Sequence, residues 1–103
     1  MLPESLFQNV DEAIQEKAIQ AQMDEFRTLW ESENGQQMAC IIAYGVGLLP
    51  THEGENNTIV EASLRLAESQ IPTDKTIAMY LLENIYKGRN AAMQLNDTSQ
   101  NDI

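Results

Sequence analysis

Met38-Ala39-Cys40-Ile41-Ile42-Ala43-Tyr44-Gly45-Val46-Gly47-Leu48-Leu49 is a run of twelve residues with no charged or amide side chain, closed by Pro50. It is longer than a usual strand and rich in small residues, and no β-branched alternating segment elsewhere could pair with it. It therefore reads as a helix, buried on every side and forming the core. Gly45 and Gly47 each cost about 1 kcal/mol against Ala within a helix, a cost that is accounted for if another helix packs closely there. The fold class that follows is all-α, a small single-domain bundle of four helices.

Upstream, Ser5-x-x-Gln8 has the form of a capping box, and no Gly or Pro follows until Gly35, which comes after Ser32-Glu33-Asn34 as a helix C-terminal signal. This predicts a long acidic first helix. Its apolar positions fall into two sets, Leu6, Val10 and Ile14, then Ile19, Met23, Phe26 and Trp30. The five-residue step between Ile14 and Ile19 turns the two stripes away from each other. The helix either breaks near Ala18 to Ala21 or meets different partners with its two halves; without a breaker, a continuous helix is favoured.

Downstream, Asn57 or Thr58 caps a third helix, Thr58-x-x-Glu61 being a second capping box, with Ile59, Leu66 and Ala67 on one face. Ile71-Pro72 stops it. Thr73 caps a fourth helix, whose Asp74 in the first turn and Lys87 and Arg89 near the end suit the helix dipole. Ile77, Leu81, Asn84 and Ile85 form its core stripe. A second stripe, Met79, Leu82, Tyr86 and Met93, either wraps the core or provides a surface for self-association. From Asn96 the chain is polar, so the domain is placed at 1–95 and a flexible polar tail at 96–103.

The chain of 103 residues carries 16 acidic and 6 basic side chains, net charge -10. Six scattered cations make no phosphate-binding patch, so direct nucleic-acid binding is not expected. A protein partner with a basic surface is. Residues 1–35 hold eight acids and two bases, a net -6, which would steer such a partner inward. No apolar stretch approaches the roughly 20 residues of a membrane span. The single cysteine and the absence of a basic amino-terminal signal region predict a cytoplasmic protein.

Catalysis is not predicted. His52 is the only histidine and stands between Thr51 and Glu53 in a turn; Cys40 lies inside the apolar run, where burial makes a thiol inert. No metal-ligand spacing or phosphate loop is present, so no cofactor and no metal are expected. The candidate contact residues are Val10, Asp11, Ile14, Asp24, Glu25 and Trp30 for a partner, with Glu12 and Glu16 on the same acidic helix, and Met79, Leu82 and Tyr86 for a homodimer.

From Ala39 through the turn Thr51-His52-Glu53-Gly54, and more thinly to Glu68 and Lys75-Thr76-Ile77, the sequence resembles the T-even phage anti-sigma proteins of the AsiA family. In that family a helix of similar pattern runs into the same tetrapeptide. Residues 39–77 carry the likeness; residues 1–38 carry none, so the family's sigma-contacting residues are not transferred. The stretch from Asn56-Asn57 to Glu68 is similar to the AriR-type biofilm and connector proteins. Both resemblances imply a small, helical, non-catalytic regulator; the first implies binding to the promoter-recognising part of a sigma factor. Two other functions fit the composition: an assembly or chaperone-like module acting with itself or with a secretion or virion component, and a mimic of nucleic acid whose carboxylates imitate phosphates.

Overall fold

The computed structural model describes the backbone of residues 4–49 and 55–101 and the side chains of 11–49 and 57–95. Four helices follow one another: α1 (Glu4–Glu31), α2 (Gly35–Leu48), α3 (Glu55–Glu68) and α4 (Pro72–Asn101), with no strand among the described residues. α1 is continuous. Ile19, Met23 and Phe26 from its second half are buried, with Leu29 and Trp30 packed beside them, whereas Ile14 from the first half is 60% exposed. The phase step at Ile14 to Ile19 thus separates a core-facing stripe from one turned to solvent.

The extents of 55 × 40 × 21 Å make the molecule about two helix diameters thick. In a slab of two layers every helix keeps an outer side, which is why α2 is not buried all round as its composition predicts. Gly35, Ala39, Ala43, Val46 and Gly47 face inward. Met38, Ile41, Ile42, Tyr44 and Leu48 are exposed, Ile41 to 64%. The small residues mark the packed side and the large ones the open side.

That inward side is small because α2 crosses α4 with backbone against backbone. A Cβ on Gly47 would strike the carbonyl oxygen of Ile85 and lie 2.8 Å from the Arg89 nitrogen; one on Gly88 would strike the carbonyl oxygen of Tyr44 and lie 3.1 Å from the Gly47 Cα. Gly45 differs. No atom lies within 4 Å of a Cβ built there, so the expectation of a close helix is met at Gly47 and not at Gly45. Replacing Gly45 by Ala should therefore raise stability by about 0.5–1 kcal/mol, read as a higher thermal midpoint.

The helix ends depart from their expected caps. Asn34 takes the left-handed conformation (φ 62°) that was expected of Gly35, since Asn tolerates it, and Gly35 opens α2 where a Cβ would strike the Leu29 carbonyl. α3 begins at Glu55, so Thr58 lies inside it. Its buried face is Ala62, Ser63 and Leu66, and Ala67 is exposed. The buried Ser63 hydroxyl donates to the Ile59 carbonyl (2.8 Å). α4 begins at Pro72, one residue before Thr73: Lys75 donates the first turn's hydrogen bond to the Ile71 carbonyl (3.2 Å), and Pro72 fills the first helical position, where no N–H is needed. Ile77, Ala78 and Leu81 complete the core. No breaker follows Gly88, and the helix backbone carries on to Asn101, through the stretch expected as a tail from Asn96.

Two ion pairs bolt α1 to the later helices. Arg27 holds Asp74 with two parallel hydrogen bonds, Nε to Oδ1 at 3.0 Å and Nη2 to Oδ2 at 2.7 Å, and reaches Asp24 with Nη1 at 2.9 Å. The Ser69 hydroxyl donates to Asp74 (2.7 Å) and accepts from the Ile71 N–H (3.1 Å), so one carboxylate joins α1 to the α3–α4 turn. Asp74 is only 2% exposed. The Arg27 guanidinium, outweighing the burial, holds its carboxyl below the usual value, and Arg27 in turn is raised. Arg65 grips Glu16 at 2.6 and 2.8 Å and lowers it likewise.

Candidate interaction surface

On α1, Ile14, Ala18, Ala21 and Glu25 recur at spacings of four, three and four, so they form one ridge on the helix. Its two alanines are low enough to leave a groove. Ala18, Ala21, Gln22 and Glu25 line it from α1, Ile42 from α2, and Thr58 and Ile59 from α3. On α2, which carries no charged residue, Met38, Ile42 and Gly45 repeat at four and three, and Ile42 is the one of them that lines the groove. A second depression on α1, lined by Ala21, Asp24, Glu25, Thr28, Leu29 and Ser32, shares Ala21 and Glu25 with the first. The two depressions adjoin along α1, mixing apolar side chains with the carboxylates of Asp24 and Glu25.

The predicted contact residues divide over this geometry. Ile14 and Glu25 lie on the α1 ridge; Asp24 borders the adjoining depression and is held by Arg27; Asp11 and Glu12 are exposed further along the helix. Glu16 is tied to Arg65 on the side facing α3 and so is no part of an open acidic face. Val10 lies outside the described side chains. Trp30 turns towards the core and meets Tyr80, ring centroids 5.5 Å apart. Met79 and Tyr86 on α4 are exposed and Leu82 is half-buried, so this stripe does not wrap the core. Met38, Ile41 and Ile42 are exposed although an all-apolar run reads as core. The segregation of Ala39, Ala43, Val46 and Gly47 from the large side chains at helical period was the signal for them.

The Cys40 thiol is pushed up, first by burial and then by Glu83, away from the reactive thiolate. Among the described residues no group of three or more His, Cys, Asp or Glu side chains could hold a metal ion, and no helix is long and apolar enough to cross a membrane. His52 and the Thr51–Gly54 turn lie outside the described residues. No family model, curated protein or solved structure matches the chain.

Proposed function

We propose that this protein is a non-catalytic regulator that acts by occupying a larger protein with a basic surface. The observation that carries the proposal is the set of exposed large apolar residues on the uncharged α2, Met38, Ile41 and Ile42, with Ile42 sharing a groove with the exposed Glu25 of α1. Burial of large apolar side chains supplies contact energy, and a rim of one charge sign speeds encounter with the opposite sign. The resemblance to AsiA-type proteins makes a sigma factor in the cytoplasm the first partner to test.

The tagged protein, passed through a bacterial lysate at low salt and at about 0.5 M salt, where surface charges are largely screened, is expected to retain a discrete partner in both. RNA polymerase or its sigma subunit among the retained proteins would support the transcriptional reading. Recovery of only basic DNA-binding proteins that wash off in salt would favour the nucleic-acid mimic instead. With the partner in hand, Asp24→Lys/Glu25→Lys should slow association by about tenfold at low salt and flatten its salt dependence; an unchanged rate removes steering from the account.

The exposure of Met79 and Tyr86 on α4 supports a second reading, assembly as a homodimer. Sedimentation equilibrium decides it: a dimer that Tyr86→Lys converts to monomer supports assembly, and a monomeric wild type sets it aside.

A further inference from the structure

Gly45 is the one glycine of α2 whose cost to the helix has no return inside the molecule. Gly47 meets the α4 backbone and Gly35 closes the turn after α1, whereas a Cβ on Gly45 would stand in open space. It is half-buried, one turn from both the exposed Ile42 and the exposed Ile41. A helix carries such a residue at little loss where another backbone approaches closely from outside. A groove lies one turn from Gly45, lined by Ala18, Ala21, Gln22 and Glu25 of α1, Ile42 of α2 and Thr58 and Ile59 of α3.

Charge selects the occupant. The lining residues include Glu25 and no cation, Asp24 of the adjoining depression is paired with Arg27, and α2 is uncharged. A second copy of this chain brings net charge -10, and a two-fold contact here would face Glu25 with its own equivalent. A basic segment meets the opposite situation. With no strand among the described residues to offer an edge, recognition by added β-structure has no template, and packing of a helix into the groove is the mode the surface provides.

We propose that the groove where α1, α2 and α3 meet receives one amphipathic helix of the partner protein, its apolar stripe seated on Ile42 and passing over Gly45 one turn away, and its flanking Lys or Arg residues directed to Glu25. The proposal rests on the binding reading above and gives it a place and a chemical class of ligand.

The test uses the full chain, isotope-labelled for amide NMR, and a fluorescent helical peptide of Leu and Lys arranged to give one apolar stripe. Its control is a peptide of identical composition scrambled to have no stripe. The striped peptide is expected to shift the amides of Ala21, Ile42 and Gly45 and to bind about tenfold more tightly than the scrambled one. Gly45→Met, which points into open space, should melt no lower than wild type yet bind the striped peptide about tenfold more weakly, because it fills the point of closest approach. Equal affinity for both peptides, shifts confined to Met79 to Tyr86, no binding of the striped peptide, or undiminished binding by Gly45→Met would each overturn the proposal. Used as lysate bait, Gly45→Met separates the two failures. If it retains the same partner as wild type, the groove is wrong and the binding reading stands; if neither protein retains a partner, both fall.

Discussion

Asp74→Ala is expected to destabilise the fold by about 3 kcal/mol, lowering the thermal midpoint by about 10–20 °C. The carboxylate is almost wholly buried, and it accepts both arms of Arg27 and the Ser69 hydroxyl. Removing it leaves a partly buried guanidinium with only Asp24, and frees the turn that starts α4. The loss falls at the lower end of the range for breaking buried pairs because the Arg27 side chain keeps 34% of its exposure. Replacing both partners, Arg27→Met with Asp74→Leu, should recover much of the stability, since no uncompensated charge then remains. The same pair sets a pH dependence. Asp74 titrates below its ordinary 3.8 in the folded protein, so its contribution is complete above that value and is lost as the pH falls through the lower, folded one. Denaturant melts at pH 7 and near pH 3 check the sign: Asp74→Ala should differ from wild type most at pH 7 and converge with it in acid. A constant difference would mean that Asp74 acts by packing alone.

Gly88→Ala is the second large effect. Its new methyl group would meet the Tyr44 carbonyl oxygen, and backbone cannot rotate aside as a side chain can. The helices must separate, which overpacking data place at about 1–3 kcal/mol, and Ala's better helix propensity returns less than 1 kcal/mol. Gly47→Ala, striking Ile85 from the other side of the crossing, should behave alike, while Gly45→Ala moves in the opposite direction. Chemical denaturation of the three variants therefore gives two losses and one gain from the same substitution. Three similar values would show that α2 and α4 do not cross at Gly47 and Gly88.

The helices themselves were legible in the residues. Ile77, Leu81 and Ile85 repeat at helical spacing and do face the core, and Ile19, Met23 and Phe26 do so on α1. What periodicity could not supply was depth. Met38 to Leu49 is apolar at every angle, and only the two-layer thickness of the slab decides that Ile41 is outside and Ala43 inside. Pairings distant in sequence were equally hidden: Asp74 reads as a helix-dipole residue, and its union with Arg27 spans 47 positions. The caps at Thr58 and Thr73 failed because each helix starts earlier, at Glu55 and Pro72. Of the candidate surface, the carboxylates at Asp24 and Glu25 were visible from charge alone. The exposure of Met38, Ile41 and Ile42 on α2 was not.

The claim that binding runs through the α1–α2 face is tested most directly by the affinity of the purified partner for three proteins: wild type, Ile42→Asp with Glu25→Lys, and Met79→Asp with Tyr86→Asp. Binding through this face requires that the α1–α2 variant lose affinity by about a hundredfold or more while the α4 variant stays within a few-fold of wild type. Loss in the α4 variant with binding kept by the α1–α2 variant would contradict it.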